Sequence, residues 1–492
     1  MRIVMIIILV IYFTASLFLF VYSLTQASLV WKYYYKRRKF PLTKEAEEDF
    51  RPNVTIQLPL YNELYVVERL IDKVCEIEYP LDKFEIQVLD DSTDETTEIA
   101  QRKVDEWKSK GLDIKLVHRT NRKGYKAGAL EEGLELISGE FVAIFDADFM
   151  PDADFLLKTV PHFSNSKVGL VQTRWGHINR NYSLLTRLQA FALDAHFTIE
   201  QVGRNASHGF INFNGTAGIW RKSCIYDSGN WSPDTLTEDL DLSYRAQLKN
   251  WEFIYLEDVE SPAELPPVMS ALKTQQYRWT KGGAETAKKH LPNVIRSDKK
   301  LANKWHGIMH LLNSSVFISI VVCAILSIPL QNIKTALPEF GSLFAIASVF
   351  LVSFLVLAAY YLTAVLKVRG AKLKSVLEFI FLFPLFLAVS MGLSLHNSIA
   401  VIEGYMGRKS SFVRTPKFNL NEKKDKWNKN LYIPKTISWL TALEGLLAIY
   451  FAYGIVRAFQ IDDYGLLPFH AMMFTGYTMV FVYSTFQYSK GT

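Results

Sequence analysis

The chain has 492 residues, 49% of them apolar and 21% charged, with a formal net charge of +6 at pH 7. That length allows two or more domains and a sizeable core. The modest positive excess sits beside apolar segments, at Lys36-Arg37-Arg38-Lys39 and Lys423-Lys424, which points to membrane orientation and excludes a nucleic-acid groove. Cys75, Cys224 and Cys323 show neither metal-ligand spacing nor a pairing pattern.

Residues 1–30 are almost continuously apolar, enough to span a hydrocarbon core of ~30 Å. The basic block just beyond predicts a retained anchor with its following side in the cytoplasm, against the competing reading of a cleaved signal peptide. From Pro52 to Asp148 the periodicity alternates between strand and helix. Val54, Ile56 and Leu58 alternate with polar neighbours, and Val66, Val67, Leu70, Ile71, Val74 and Ile77 then recur at helical spacing. A strand over 84–89, a helix over 95–108, a strand over 114–117, a helix over 127–137 and a strand over 141–145 follow. This order predicts an α/β fold, a mostly parallel sheet with helices on both faces, Rossmann-like in class. No Gly-x-Gly-x-x-Gly or phosphate loop follows these strands, which argues against a dinucleotide coenzyme or an ATPase.

Helices are expected over 184–202, 238–248 and 268–290, the last carrying Lys273, Lys281, Lys288 and Lys289 and suited to a membrane surface or to solvent. Apolar runs then cover 311–330, 340–366, 376–401, 437–456 and 466–486. Lys367, Arg369, Lys372 and Lys374 precede the third run, and Arg408, Lys409, Arg414 and Lys417 follow it. The positive-inside rule asks both flanks to lie on one side, so that run reads as an interfacial or re-entrant segment. One span then precedes the α/β region and four follow it.

Acidic residues cluster where α/β sheets bind ligands, at the carboxyl ends of apolar runs. They read Val88-Leu89-Asp90-Asp91-Ser92, Ile144-Phe145-Asp146-Ala147-Asp148 and Leu236-Thr237-Glu238-Asp239, the last less cleanly strand-like. A Gln275-Gln276-Tyr277-Arg278-Trp279 element follows. Carboxylates are the hard oxygen ligands of a divalent cation that holds a diphosphate, so the set reads as a sugar-nucleotide site. Transfer to an alcohol also needs a base within reach of the acceptor hydroxyl.

With these motifs the chain resembles the processive family 2 glycosyltransferases of the cellulose synthase and cellulose-synthase-like type, the D, D, D, Q-x-x-R-W superfamily. The resemblance extends from about Pro52 to Lys417. It includes Gln57-Leu58-Pro59-Leu60-Tyr61-Asn62-Glu63, Lys123-Gly124-Tyr125-Lys126-Ala127-Gly128-Ala129-Leu130 and Phe213-Asn214-Gly215-Thr216-Ala217-Gly218. It implies a GT-A catalytic domain over 40–265, an anchor over 1–31, interfacial helices with the Gln-x-x-Arg-Trp element over 266–305, and a membrane region over 306–492. Within that region it implies an interfacial segment over 376–402 and a gating loop over 408–420. Asp146 and Asp148 are expected to bind Mg²⁺ or Mn²⁺ and diphosphate. Tyr61, Glu63, Asp90, Asp91 and Lys126 should contact the nucleoside or diphosphate, and Gln275, Arg278 and Trp279 the donor and acceptor. Asp239, beside the second catalytic candidate Glu238, is the expected base. Phe412-Val413-Arg414-Thr415-Pro416-Lys417 resembles the Phe-x-Val-Thr-x-Lys gating loop, with Arg414 in place of Val, so Thr415 and Lys417 are expected at phosphate.

The implied protein is a multi-pass membrane enzyme of a bacterial inner membrane or a Golgi or plasma membrane. It would use UDP-glucose or GDP-mannose and pass a growing β-mannan or β-glucan acceptor through its own helices in the lipid bilayer. The alternatives are a single transfer to a lipid such as a polyprenyl phosphate or ceramide, and a transporter with a relic nucleotide-binding domain. Against the transporter stand the intact acids and the sparse intramembrane charge.

Overall fold

The computed structural model describes residues 2–37, 50–341, 344, 351–420, 425–433 and 438–491. Arg38, Lys39, Lys423, Lys424, the expected domain start at residue 40 and part of the 340–366 run lie outside the described residues.

A 35-residue helix, Arg2–Lys36, opens the chain. Seven strands then form one sheet: β1 (Val54–Leu60), β2 (Phe84–Asp90), β3 (Ile114–His118), β4 (Phe141–Ile144), β5 (Val168–His177), β6 (Gly218–Arg221) and β7 (Glu252–Ala263). Their order is β3-β2-β1-β4-β6-β5-β7. The first four are mutually parallel as expected, β6 runs antiparallel to both neighbours, and β7 is parallel to β5. Period-two alternation sends Ala143 and Phe145 to one face, with Val67, Leu70 and Val74 of helix Val67–Cys75. Val142 and Ile144 go to the other, with Leu130 and Leu134 of helix Tyr125–Leu134. Burial on both faces is why these strands read as nearly unbroken apolar runs.

Two expectations are corrected. The third acidic segment is not a strand end: Glu238 begins the helix Glu238–Leu248. The expected 184–202 helix is interrupted, with Leu184–Ala195 followed by a π-helical turn, His196–Glu200, and then Gln201–Asn205. Such turns widen a helix locally and re-aim its side chains. Here His196 Nε2 is brought 3.3 Å from Asn214 Oδ1.

The basic helix is longer than expected, Met269–Arg296. After it come Leu301–Leu311, Val316–Ala336, Val352–Arg369, Leu373–Gly392, Ser394–Met406, Trp439–Gln460 and Leu467–Gly491. Among the described residues, five helices are long and apolar enough to cross a membrane: Arg2–Lys36, Asn313–Lys334, Val352–Arg369, Leu373–Gly392 and Trp439–Gln460. The expected interfacial run thus contains a helix of spanning length, separated from Ser394–Met406 by Leu393 alone. Leu373–Gly392 packs closely on Leu467–Gly491, where a Cβ on Gly476 would stand 1.9 Å from the Ala388 carbonyl oxygen. Small residues let helix backbones approach this far.

Candidate active site

The carboxyl ends of β1, β2 and β4, the start of helix Glu238–Leu248, the helix Met269–Arg296 and the loop 408–420 enclose one cleft. Tyr61, Glu63, Asp91, Lys126, Asp146, Asp148, Glu238, Asp239, Gln275, Arg278, Trp279, Thr415 and Lys417 all line it. Asp90 does not, which corrects its expected donor contact. Its carboxylate is fully buried and accepts from Thr97 Oγ1 at 2.6 Å and the Ser92 N–H at 3.0 Å, with His118 Nδ1 at 2.8 Å. It braces the end of β2.

Asp91 lines the cleft but is already paired. Arg119 grips it through two bonds of 2.7 Å and donates to the carbonyls of Lys123 and Tyr125. That fork shapes the loop leading to Lys126, as only a planar guanidinium can. Lys126 Nζ lies 2.5 Å from Asp146 Oδ1 and 2.7 Å from the Gly215 carbonyl. Burial alone would lower its pKa, but Asp146, Glu238 and Asp239 raise it, so it stays a cation.

Asp148 is almost fully buried. Its Oδ2 accepts the Glu264 N–H at 3.1 Å and pairs with Lys417 Nζ at 2.8 Å. Its Oδ1 is buried without a hydrogen-bond partner. An orphaned buried carboxylate oxygen is costly unless something fills its place. Asp146 and Asp148 therefore fit a divalent cation bound by one or two carboxylates and completed by phosphate oxygens and water. Among the described residues no group of three or more His, Cys, Asp or Glu forms a self-contained metal cage.

Glu238 and Asp239 sit side by side at the start of their helix. Burial raises both pKa values, and for Asp239 the neighbouring Glu238 carboxylate raises it further. Asp239 Oδ1 accepts the Leu240 N–H at 2.8 Å. Across from it Gly215 has φ +80°, and a Cβ there would stand 3.1 Å from Asp239 Oδ2. Glycine is the residue that adopts this backbone freely and leaves the carboxylate room.

The loop 408–420 lies inside the cleft. Arg278 stands 4.6 Å over the Phe412 ring and donates to Thr415 Oγ1 at 3.0 Å, while Phe412 stacks with Tyr125. Arg414, where the resembled motif has Val, pairs with Glu63 at 2.8 Å and lies 4.2 Å from the Tyr432 ring. Burial is the main reason that the Glu63 carboxyl is pushed up to about 7, against the pull of Arg414 and Lys417.

Beyond Trp279 the cleft meets a second, largely apolar cavity lined by Leu188, Leu193, Leu272, Phe317, Phe386 and Val389 among others. Leu193, Gln275 and Trp279 line both. Three participants were not found by sequence reasoning: Arg119, Arg122, which lies 3.3 Å over the Tyr61 ring, and Glu264. None sits in a spaced motif. Only the fold brings them to the site.

Residues 55–225 match the family model described as Glycosyl transferase family 2, and residues 141–366 match Glycosyl transferase family group 2. Together these matches cover residues 55–366 as a family 2 glycosyltransferase region. It is 47% identical over 249 residues to Glucomannan 4-beta-mannosyltransferase 1 of Cyamopsis tetragonoloba, covering 50% of this chain and 47% of that one. It is 39% identical over 334 residues to Glucomannan 4-beta-mannosyltransferase 2 of Arabidopsis thaliana, covering 64% and 62%. The chain spans about half the length of the curated relatives it matches. Among solved structures, mannosyltransferase PcManGT from Pyrobaculum calidifontis, in complex with GDP-Man and Mn2+, aligns over 80% of this chain and 100% of its own at TM-score 0.52 and 20% identity. That likeness places this chain in the GT-A fold.

Proposed function

We propose that the chain is a membrane-embedded, inverting hexosyltransferase that extends a β-linked, mannan-type polymer from GDP-mannose. One observation carries the reading. The acids, Lys126 and the Gln-x-x-Arg-Trp side chains converge on a single cleft, and that cleft adjoins an apolar cavity lined by the helices Leu184–Ala195, Met269–Arg296 and Leu373–Gly392 and by Phe317. The curated relatives, by their names glucomannan 4-beta-mannosyltransferases, support mannose over glucose and a polymer over a single transfer.

In this reading Asp239 takes the proton of an acceptor hydroxyl as its oxygen bonds to the anomeric carbon. The bond from that carbon to the diphosphate breaks, and the nucleoside diphosphate leaves with the electron pair. Displacement from the opposite face turns an α-linked donor into a β-linkage. Lys126, Arg278 and Lys417 meet the departing charge, the guanidinium through its planar donors. A divalent cation held by Asp146 and Asp148 neutralises diphosphate charge when bound. Tyr61, Glu63 and Asp91 face the nucleoside, and Gln275 and Trp279 the sugar end, where the Trp279 ring offers a stacking face.

The segment 376–402 lies, on this reading, along the catalytic face and does not cross. Support comes from both flanks. Lys367 stands 3.7 Å from Glu257 of β7, and Glu378 pairs with Arg187 at 3.0 Å. At the other end Lys288 Nζ donates to the Tyr405 carbonyl at 2.9 Å, and the loop 408–420 enters the cleft. The domain limits of 1–31, 40–265, 266–305 and 306–492 are part of the same proposal.

The deciding experiment gives purified protein in nanodiscs a panel of nucleotide sugars with Mg²⁺ or Mn²⁺, measuring nucleotide release and product size. GDP-mannose consumption with a size-heterogeneous, mannosidase-sensitive product is expected. A discrete glycolipid would overturn the polymer reading, and preference for UDP-glucose the donor.

A further inference from the structure

Glu264 has no part in the chemistry above, yet it joins the Asp148 carboxylate to the loop over the cleft. It follows Ala263, the last residue of β7, and its side chain is 2% exposed. Its carboxylate accepts three successive backbone N–H groups from the far end of the loop: Phe418 at 3.1 Å, Asn419 at 2.9 Å and Leu420 at 3.4 Å. Asn419 has a left-handed backbone, φ +55°, and Arg69 holds its side chain at 2.6 Å. The Glu264 N–H in turn donates to Asp148 Oδ2, the oxygen paired with Lys417.

The ground under Glu264 is firm. Leu265 exchanges two hydrogen bonds with the Asn179 side chain, at 2.9 and 2.8 Å. Phe418 and Leu420 pack with Val268 and Ala271. Three N–H groups converging on one buried carboxyl group fix the backbone direction there, because each would otherwise be a buried donor without a partner. Upstream, residues 412–417 meet the cleft mainly through the side chains of Phe412, Arg414, Thr415 and Lys417. The loop therefore has a backbone-anchored root, where Asn430 Nδ2 also donates to the Lys417 carbonyl at 2.6 Å, and an upstream part held by side-chain contacts a substrate can replace.

We propose that Glu264 is a positioning residue that pins the root of the loop at 418–420, so that Thr415 and Lys417 reach the Asp146–Asp148 end of the cleft. The inference rests on the reading of that end as the diphosphate site. Glu264 touches no reacting atom. It acts through the loop.

The test pairs a conformational with a kinetic readout on the full chain. Nitroxide labels at Val413→Cys and Lys108→Cys report the loop position by pulsed electron–electron distance measurement, and the native cysteines are all buried. Glu264→Gln preserves shape but presents an amide N–H to the loop. It should broaden a narrow distance distribution and lower kcat by up to ~10²-fold, the cost of a misplaced group. Lys417→Ala added to Glu264→Gln should cause no further loss, because both act through one element. If Glu264→Gln does not fold, Glu264→Asp, with its carboxylate drawn back by one carbon, should give the same broadening. An unchanged distance distribution, or fully additive losses with Lys417→Ala, would overturn the proposal. Broadening in a protein whose parent turns over no nucleotide sugar would leave the anchor standing and defeat the transferase reading instead.

Discussion

Asp239→Asn separates a base from a donor ligand, because the structure shows what the change keeps. Asparagine retains the Oδ1 that accepts the Leu240 N–H at 2.8 Å and the shape that faces Gly215. The helix start and the cleft outline should survive. What is lost is basicity. A positioned general base is worth ~10²–10⁴-fold in rate, or about 3–5 kcal/mol of barrier at 1.36 kcal/mol per tenfold. Turnover should fall by that factor, measured as nucleotide release with acceptor present, while donor affinity measured by calorimetry stays near that of the parent. The parent should also show an acid limb in kcat/KM above the ordinary aspartate range, because burial and the Glu238 carboxylate raise the Asp239 pKa. Activity should rise with pH through that limb as Asp239 ionises, and the limb should vanish in the Asn variant. If donor affinity collapses while transfer persists, or the limb survives substitution, Asp239 is not the base.

Asp148→Asn should remove most metal-dependent turnover with little change in thermal stability, and near-normal activity of that variant in EDTA would reject the metal role of the orphaned Oδ1. Gly215→Ala should cost ~1–2 kcal/mol from its φ of +80° alone, and should reduce kcat further because the new methyl presses on Asp239; a fully active variant would show that the carboxylate need not sit there. Lys374→Cys and Lys409→Cys, both exposed, should react with an impermeant thiol reagent from the same face of sealed vesicles. Labelling from opposite faces would make Leu373–Gly392 a crossing helix and remove the loop from the catalytic compartment.

The sheet and its acidic rim were legible because both depend on local rules. Strands buried on two faces announce themselves as apolar runs, and acids at their carboxyl ends mark a site whatever the rest of the fold does. Asp90 shows where that reading fails. Adjacent residues leaving a strand point in opposite directions, so Asp91 faces the cleft while Asp90 turns into the bonds of Thr97 and His118. Sequence carries the alternation but not which phase faces the ligand. Glu264 was illegible for another reason. Its partners lie more than 150 residues away and are backbone N–H groups, which no side-chain motif encodes.

Arg414 departs from the motif it resembles, and the charge arrangement gives that departure a physical sense. In the structure three of the cations reaching into the cleft have an acid opposite them: Lys126 with Asp146, Lys417 with Asp148, Arg414 with Glu63. A neutral valine at 414 would leave Glu63 buried with one fewer counter-charge, although burial already pushes its carboxyl up to about 7. On the proposed reading, a nucleotide diphosphate entering with its cation exchanges partners with these pairs. Asp148 would then be free to hold a cation, and Lys417 would be free to meet phosphate. No charge need be left buried and unpaired during that exchange, provided the loop stays close enough to hand Lys417 across. A loop anchored at 418–420 and released upstream meets that condition, whereas a loop free at both ends would carry its lysine away with it.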